Sequence, residues 1–167
     1  CWLIAHLTRP STSKRYSMAE ATCVTSVVRI RYVIATVTSV CTGSLILAAA
    51  GLLDGYRAGC HWAWGEGLGQ FGATFVRERV VTDRNRITAG GVTSGIDFAF
   101  RVIEALHGRD IAEAIQLTLE YDPAPIGGGT PATARPEILA KVKALLATRM
   151  GDRQAEIDAA GTAYRRN

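Results

Sequence analysis

Cys41 is the residue whose neighbours best suit covalent chemistry. It lies in the run TSVCTGS (residues 38–44), after a β-branched stretch and before small and apolar residues. The first stretch predicts a buried strand and the second a helix. A strand that passes directly into a helix needs a sharp, often strained turn, and the turn's side chain projects from the edge of the sheet. The small residues Thr42 and Gly43 leave room for a substrate to approach.

Two interpretations of Cys41 fit this pattern. The positive end of the helix dipole and free backbone N–H groups favour a thiolate, which is the nucleophilic form of cysteine. The same amides can stabilise an anion that forms on an attacked substrate. A buried, inert structural cysteine would sit in similar surroundings. The residues by themselves leave both interpretations open.

His61 is the second candidate for chemistry. It ends a short extended segment, residues 57–61. Because the ends of neighbouring parallel strands meet at one edge of a sheet, His61 can approach Cys41 there. A hydrogen-bonded structural histidine is the alternative. His107 precedes Gly108 at the end of a predicted helix and suits a capping role, while Trp62 and Trp64 suit packing.

Other features exclude several classes of protein. The four cysteines, at positions 1, 23, 41 and 60, form no CxxC pair and no zinc-ligand spacing, so neither a metal site nor a disulfide framework is predicted. A reduced, cytoplasmic setting follows. The glycines of residues 127–129 follow no predicted strand and are not a dinucleotide fingerprint. Asp97 suits the acidic first turn of a helix better than catalysis.

Charge and hydropathy argue against nucleic-acid and membrane partners. The net charge is +4, and the whole surplus falls in residues 1–40, which leaves the rest of the chain balanced. Residues 32–53 carry no charge and are long enough to cross a bilayer. Their first half is β-branched and their middle is small and polar, which favours a strand followed by a buried helix.

The chain length suits one domain, and the patterns divide it into three parts. Residues 1–30 form an atypical leader that we expect to be loop-like or disordered. Residues 31–150 form an α/β domain, and residues 151–167 form a charged, peripheral helical tail. Alternating elements predict a mostly parallel sheet covered on both faces. The predicted strands are 32–40, 57–61, 74–82 and 86–89, and the predicted helices are 43–53, 62–71, 93–107, 110–121 and 137–150.

As an ordered set, several motifs resemble the ThiJ/PfpI family of the class I glutamine amidotransferase-like superfamily. They are TSVCTGS (38–44), AAGLLDG (49–55), HWA (61–63) and TAGGVTSGID (88–97). The run LEYDPAP (119–125) is most similar to the isonitrile (isocyanide) hydratase branch of that family. The resemblance covers residues 31–150.

The resemblance implies a flavodoxin-like three-layer α/β sandwich, a homodimer, a small-molecule substrate and no cofactor or metal. It implies that Cys41 is a nucleophile at the elbow, with Thr42 and His61 beside it. Gly43, Trp62 and Gly91 would line the substrate pocket. In the hydratase branch the cysteine attacks the terminal carbon of R–N≡C, and water then releases an N-substituted formamide.

The chain also departs from the family pattern. Relatives carry an N-terminal acidic residue, an aspartate in the hydratase branch, and a Pro-Gly-Gly turn near the cysteine. Residues 1–30 match neither feature, since their only acidic residue is Glu20 and their only proline, Pro10, is followed by Ser11. Cys60 stands where relatives usually have threonine. We therefore expect a missing or altered N-terminal part and reduced turnover. The alternatives are a ligand-sensing domain like those of AraC-type transcription regulators, a stress-type chaperone or carbonyl hydrolase, and an inactive relative.

Overall fold

A computed structural model describes residues 3–7, 34–151 and 153–165, with side chains from residue 36 onward except 149 and 150. Four strands form one sheet in the order β1-β2-β6-β5. They are β1 (Leu3–Leu7), β2 (Ile34–Val40), β5 (Val80–Asp83) and β6 (Arg86–Ala89). The central pair, β2 and β6, is parallel, and an antiparallel strand flanks it on each side. A two-stranded parallel sheet joins β3 (Arg57–Ala58) to β4 (Thr74–Phe75).

Five α-helices and one 3-10 helix complete the described part of the chain. They are α1 (Gly43–Ala49), the 3-10 helix (Gly65–Phe71), α2 (Ser94–His107), α3 (Arg109–Thr118), α4 (Pro136–Met150) and α5 (Arg153–Tyr164). Helix α1 was predicted within residues 43–53 with its end near Gly51; it ends at Ala49, and the chain reverses at Gly51, whose φ of 71° suits glycine. The predicted strand 74–82 is two strands, since Thr74–Phe75 pairs with β3 and Val80–Asp83 pairs with β6.

The sheet is covered on both faces, which confirms the predicted α/β sandwich. Alternate side chains of β2 point to opposite faces. Val37 packs with Leu47 of α1, and Val40 packs with Phe98 of α2. The described strands give a mixed sheet, because a tight turn at Arg84 and Asn85 joins β5 to β6 as a hairpin.

Helix α5 packs against the core, whereas residues 151–167 were predicted to form a peripheral tail. Ile157 is 7% exposed and belongs to the main core cluster, and the Tyr164 ring packs edge-on against Phe71 with centroids 5.6 Å apart. Gly67 in the 3-10 helix allows this approach, since a Cβ there would lie 2.8 Å from a methyl group of Ile157. The packing of α5 against the core could not be predicted from the sequence, because only one large aliphatic residue of this helix is buried and its neighbours are charged or small.

Within the described residues, no helix has the length and apolar character that crossing a membrane requires. Residues 34–53 of the uncharged run are instead β2, α1 and the turn after α1, as their composition predicted. Strand β1 falls within residues 1–30, and the rest of that predicted leader, together with Tyr32 and Val33 of the predicted strand, lies outside the described residues.

Candidate functional site

Cys41 occupies the turn between β2 and α1 in a left-handed backbone conformation, with φ of 64°. L-residues with a side chain rarely adopt this conformation, because Cβ approaches the neighbouring carbonyl oxygen. The Cys41 N–H donates a 3.0 Å hydrogen bond to the Ala89 carbonyl, which ties the turn to the end of β6. The side chain is half-buried. The sharp turn that the sequence predicted is present.

The hydrogen bond from Cys41 also limits which amides can serve a substrate. Its own N–H is used by the sheet, so an anion at the thiol would have to meet donors elsewhere. Thr42, half-buried, and Gly43, buried, follow as the next two residues of the turn and the start of α1.

Three buried hydroxyl groups fix the segment that leads to His61. Ser44 Oγ donates to the Gly59 carbonyl at 2.5 Å and accepts from Ser39 Oγ at 2.7 Å. Thr88 Oγ1 accepts a 2.7 Å bond from the Gly59 N–H. A side chain at position 59 would place its Cβ 3.1 Å from the Thr88 carbonyl oxygen, so glycine permits this close approach. This network was not predicted from the sequence, although serine and threonine residues at buried positions of both central strands are a signal for it.

His61 is held in one orientation by its neighbours. The Ala63 N–H donates to His61 Nδ1 at 3.3 Å, which leaves the proton of the neutral ring on Nε2. The ring stacks on Trp62 with centroids 5.5 Å apart, and a Cβ at Gly91 would lie 3.6 Å from its Cδ2 atom. Burial lowers the pKa of His61 below its ordinary value of 6.5. The imidazole is therefore neutral at pH 7.

Cys60 lies beside His61 and is buried, with 3% of its surface exposed. Burial, and secondly the charge of the nearby Cys41, raises the pKa of the Cys60 thiol from 9.0 to about 12, against a hydrogen bond from the His61 amide that lowers it. An effect of the Cys41 charge on the Cys60 thiol requires the two side chains to lie near each other. The structure thus places Cys60 near Cys41, with His61 and Trp62 next in the chain and Gly91, after β6, beside the His61 ring.

The loop between β6 and α2 forms another edge of this region and is anchored from outside. Arg79 accepts a 3.0 Å bond from the Gly90 N–H through its carbonyl and donates from its guanidinium to the Thr93 carbonyl at 3.0 Å. Its Nε also pairs with Asp97 at 2.5 Å, and the Tyr121 hydroxyl donates to the same carboxylate oxygen at 3.1 Å. Asp97 is thus a structural acid of the first turn of α2, as its position predicted.

Two further features lie away from Cys41. A surface cleft of about 350 Å³ runs between α2 and α3, with Asp97 and Tyr121 on its wall. His107 is exposed in the last turn of α2. Among the described residues, no group of three or more His, Cys, Asp or Glu side chains is arranged to hold a metal ion.

Comparison with known proteins places this turn in a family. The model of the DJ-1/PfpI family matches residues 14–105, which is more than half of the chain and includes Cys41 and His61. The chain belongs to the DJ-1/PfpI family. A solved structure of a ThiJ/PfpI family protein from Pseudomonas syringae has the same fold, with a TM-score of 0.76 and 39% sequence identity. That similarity covers 86% of this chain and 58% of the other one.

Two curated relatives of this chain have names that denote different functions, one an enzyme and one a transcriptional regulator. Isonitrile hydratase of Pseudomonas putida is 56% identical over 99 residues, which are 59% of this chain and 43% of the relative. The HTH-type transcriptional regulator GbdR of Pseudomonas aeruginosa is 40% identical over 89 residues, or 50% of this chain and 23% of the regulator. The chain therefore spans less than half the length of either relative.

Proposed function

We propose that this DJ-1/PfpI domain carries the cysteine site of a cofactor-free isonitrile hydratase, with Cys41 as the nucleophile. The 56% identity to isonitrile hydratase over 99 residues is the observation that carries the proposal. The left-handed turn at Cys41 supports it, because strained backbone persists at positions where surrounding contacts hold a reactive group.

The reaction uses the sulfur of Cys41 to divide hydration into two steps. The thiolate bonds to the terminal carbon of R–N≡C, and that carbon takes up the thiol's proton to give the thioimidate R–N=CH–S–Cys. Water then adds to the same carbon while the nitrogen is protonated. Breaking the C–S bond releases R–NH–CHO and restores the thiol, so the balance is one isonitrile and one water per formamide.

His61 would act in this scheme as a neutral hydrogen-bond donor. Its Nδ1 accepts from Ala63, so its Nε2–H is the group available to the substrate. A neutral ring can orient a water molecule or stabilise charge that develops on sulfur or nitrogen. Trp62 and Gly91, which lie beside the His61 ring, would line the pocket for the R group, while Thr42 and Gly43 would border the sulfur.

The decisive experiment is incubation of the protein with an aryl isocyanide and quantification of the formamide by chromatography. We expect formamide from the wild-type chain and none above background from Cys41→Ser or Cys41→Ala. Circular dichroism of each variant establishes that it is folded. Turnover that survives in folded Cys41→Ala would contradict the proposed mechanism.

A ligand-sensing role is the second candidate, because the transcriptional regulator GbdR is 40% identical over 89 residues. In that role the site would bind a small molecule without turnover. A saturable change in Trp fluorescence on adding the isocyanide, with no formamide formed, would favour sensing over hydration.

A further inference from the structure

Cys41 and Cys60 are the two free cysteines of the described residues, and they approach the same corner of the fold from different elements. Cys41 ends β2. Cys60 follows β3 by two residues. One side chain is half-buried and the other is buried, so a reagent that reaches Cys41 does not meet Cys60 directly.

Backbone contacts locate both residues around the end of β6. The Cys41 N–H is bonded to the Ala89 carbonyl at 3.0 Å. At the next residue, Gly90, an added Cβ would lie 3.8 Å from the Cys60 carbonyl oxygen. Ser44, three residues after Cys41, donates to the carbonyl of Gly59, the residue before Cys60. These independent contacts place both cysteines around the end of β6, and the charge of Cys41 acts on the Cys60 thiol.

We propose that Cys41 and Cys60 form a reversible disulfide when a hydroperoxide oxidises Cys41. In the first step the Cys41 thiolate attacks the peroxide, the O–O bond breaks, and Cys41–SOH and hydroxide (or alkoxide) form. In the second step the Cys60 sulfur attacks the sulfenic sulfur. The S–O bond breaks, and the sulfenic hydroxyl leaves with the Cys60 proton as water. Peroxide is the oxidant, and a dithiol reductant restores both thiols.

The different burial of the two cysteines makes Cys41 the residue that reacts with peroxide and Cys60 the residue that then forms the disulfide. Cys60 is buried and protonated at neutral pH, so it does not compete with Cys41 for peroxide. Closure needs its sulfur to lose a proton, so closure is the slower step and quickens as pH rises. The disulfide would remove the nucleophile from action and spare it from irreversible sulfinic acid. The inference shares with the proposed function the premise that Cys41 is reactive, but it requires no isonitrile.

Trypsin provides a direct test, because cleavage at Arg31, Arg57 and Arg77 places the two cysteines on separate peptides, residues 32–57 and 58–77. The wild-type protein is treated with one equivalent of hydrogen peroxide at pH 8, alkylated while denatured, and digested without reductant. We expect the two peptides joined, at a mass two hydrogens below their sum, and separated again by dithiothreitol. In Cys60→Ser we expect no joined peptide and a several-fold faster accumulation of sulfinic acid on Cys41.

The wild-type measurement stands even if Cys60→Ser fails to fold. Cys41 found as sulfinic acid beside an alkylated Cys60, or joined to Cys1 or Cys23 instead, would overturn the inference. A joined peptide in a protein that makes no formamide would sustain it while the proposed hydratase activity fails.

Discussion

At the scale of single residues, the left-handed backbone of Cys41 is a strained local feature of the site. Its φ is 64°, and Glu120, at the exposed end of the segment after α3, has a φ of 50°. A side chain in this region costs roughly 1 kcal/mol relative to glycine. We therefore expect Cys41→Gly to be more stable than Cys41→Ala by about 1 kcal/mol in urea unfolding, although both lack the thiol.

Glu120 supplies the matched control for that comparison. Glu120→Gly should gain over Glu120→Ala by a similar amount, and formamide production should be unaffected by either change. Equal stabilities for the two Cys41 variants would show that the turn relaxes when the sulfur is removed, and the strain would then belong to the side chain.

His61 carries a second prediction at the residue scale. Replacing its ring by the amide of His61→Gln should lower kcat/KM for an isocyanide by about 10- to 100-fold, because an aligned donor is lost. His107→Gln, on an exposed helix end, is the control and should leave the rate unchanged.

The pH dependence of the same rate follows from the burial of His61. Burial lowers its pKa, so the ring stays neutral as pH falls through 6.5 and becomes charged only at a lower pH. The contribution of His61 to the rate should therefore persist at pH 6.5. A loss of half of that contribution at pH 6.5 would show that the ring titrates as if it were in water.

At the scale of elements, the hydroxyl network joins β2, α1 and the segment after β3. Ser44 is fully buried and its Oγ is the donor to Gly59. Ser44→Ala would leave a buried carbonyl and a buried hydroxyl without this partner, at a cost of about 1–3 kcal/mol. Since Gly59 is two residues from His61, we expect kcat/KM to fall as well.

Thr148→Ala is the control for Ser44→Ala. It removes a hydroxyl that bonds to the Ala144 carbonyl on an exposed face of α4, and it should change stability by less than about 0.5 kcal/mol. Chemical denaturation of the three proteins gives the comparison. An unchanged stability in Ser44→Ala would mean that water replaces the hydroxyl.

The elements around Cys41 also show which parts of the fold could be predicted from the sequence. The strand, the sharp turn and the helix around Cys41 followed from a β-branched run followed by small residues, which is local information. The Ser44–Gly59 bond joins residues that are far apart in the chain, and neither has a pattern that names its partner. The family resemblance implies a site role for His61, which stays a prediction, but only the fold revealed that the Ala63 N–H bonds to its ring.

At the scale of the whole molecule, α5 closes the core on the side of α1. Ile157→Ala should lower the free energy of unfolding by about 2–5 kcal/mol, because it leaves a cavity against the 3-10 helix. Ile126, fully exposed in the loop before α4, provides a control that should show no measurable change when replaced by alanine. If Ile157→Ala lowered the free energy of unfolding no more than the Ile126 control does, α5 would be peripheral, as its composition predicted.

The composition of α5 explains why the sequence could not assign it. Only Ile157 and Gly161 of this helix are buried, so it shows no wide apolar stripe. The contact of α5 with the core depends on the shape of the 3-10 helix, where Gly67 leaves room for the side chain of Ile157. Such complementarity is a property of two distant segments and is invisible in either one.

The parallel pairing of β2 with β6 has a consequence for how the site arises. Val37 is opposite Arg86, about fifty positions later, so this pairing closes a long loop and forms more slowly than the local β5–β6 hairpin. The carbonyl of Ala89 that holds the Cys41 amide arrives only with that closure. We therefore expect the turn at Cys41 to form late in folding, so that a nascent chain exposes an unstrained cysteine until the two central strands pair.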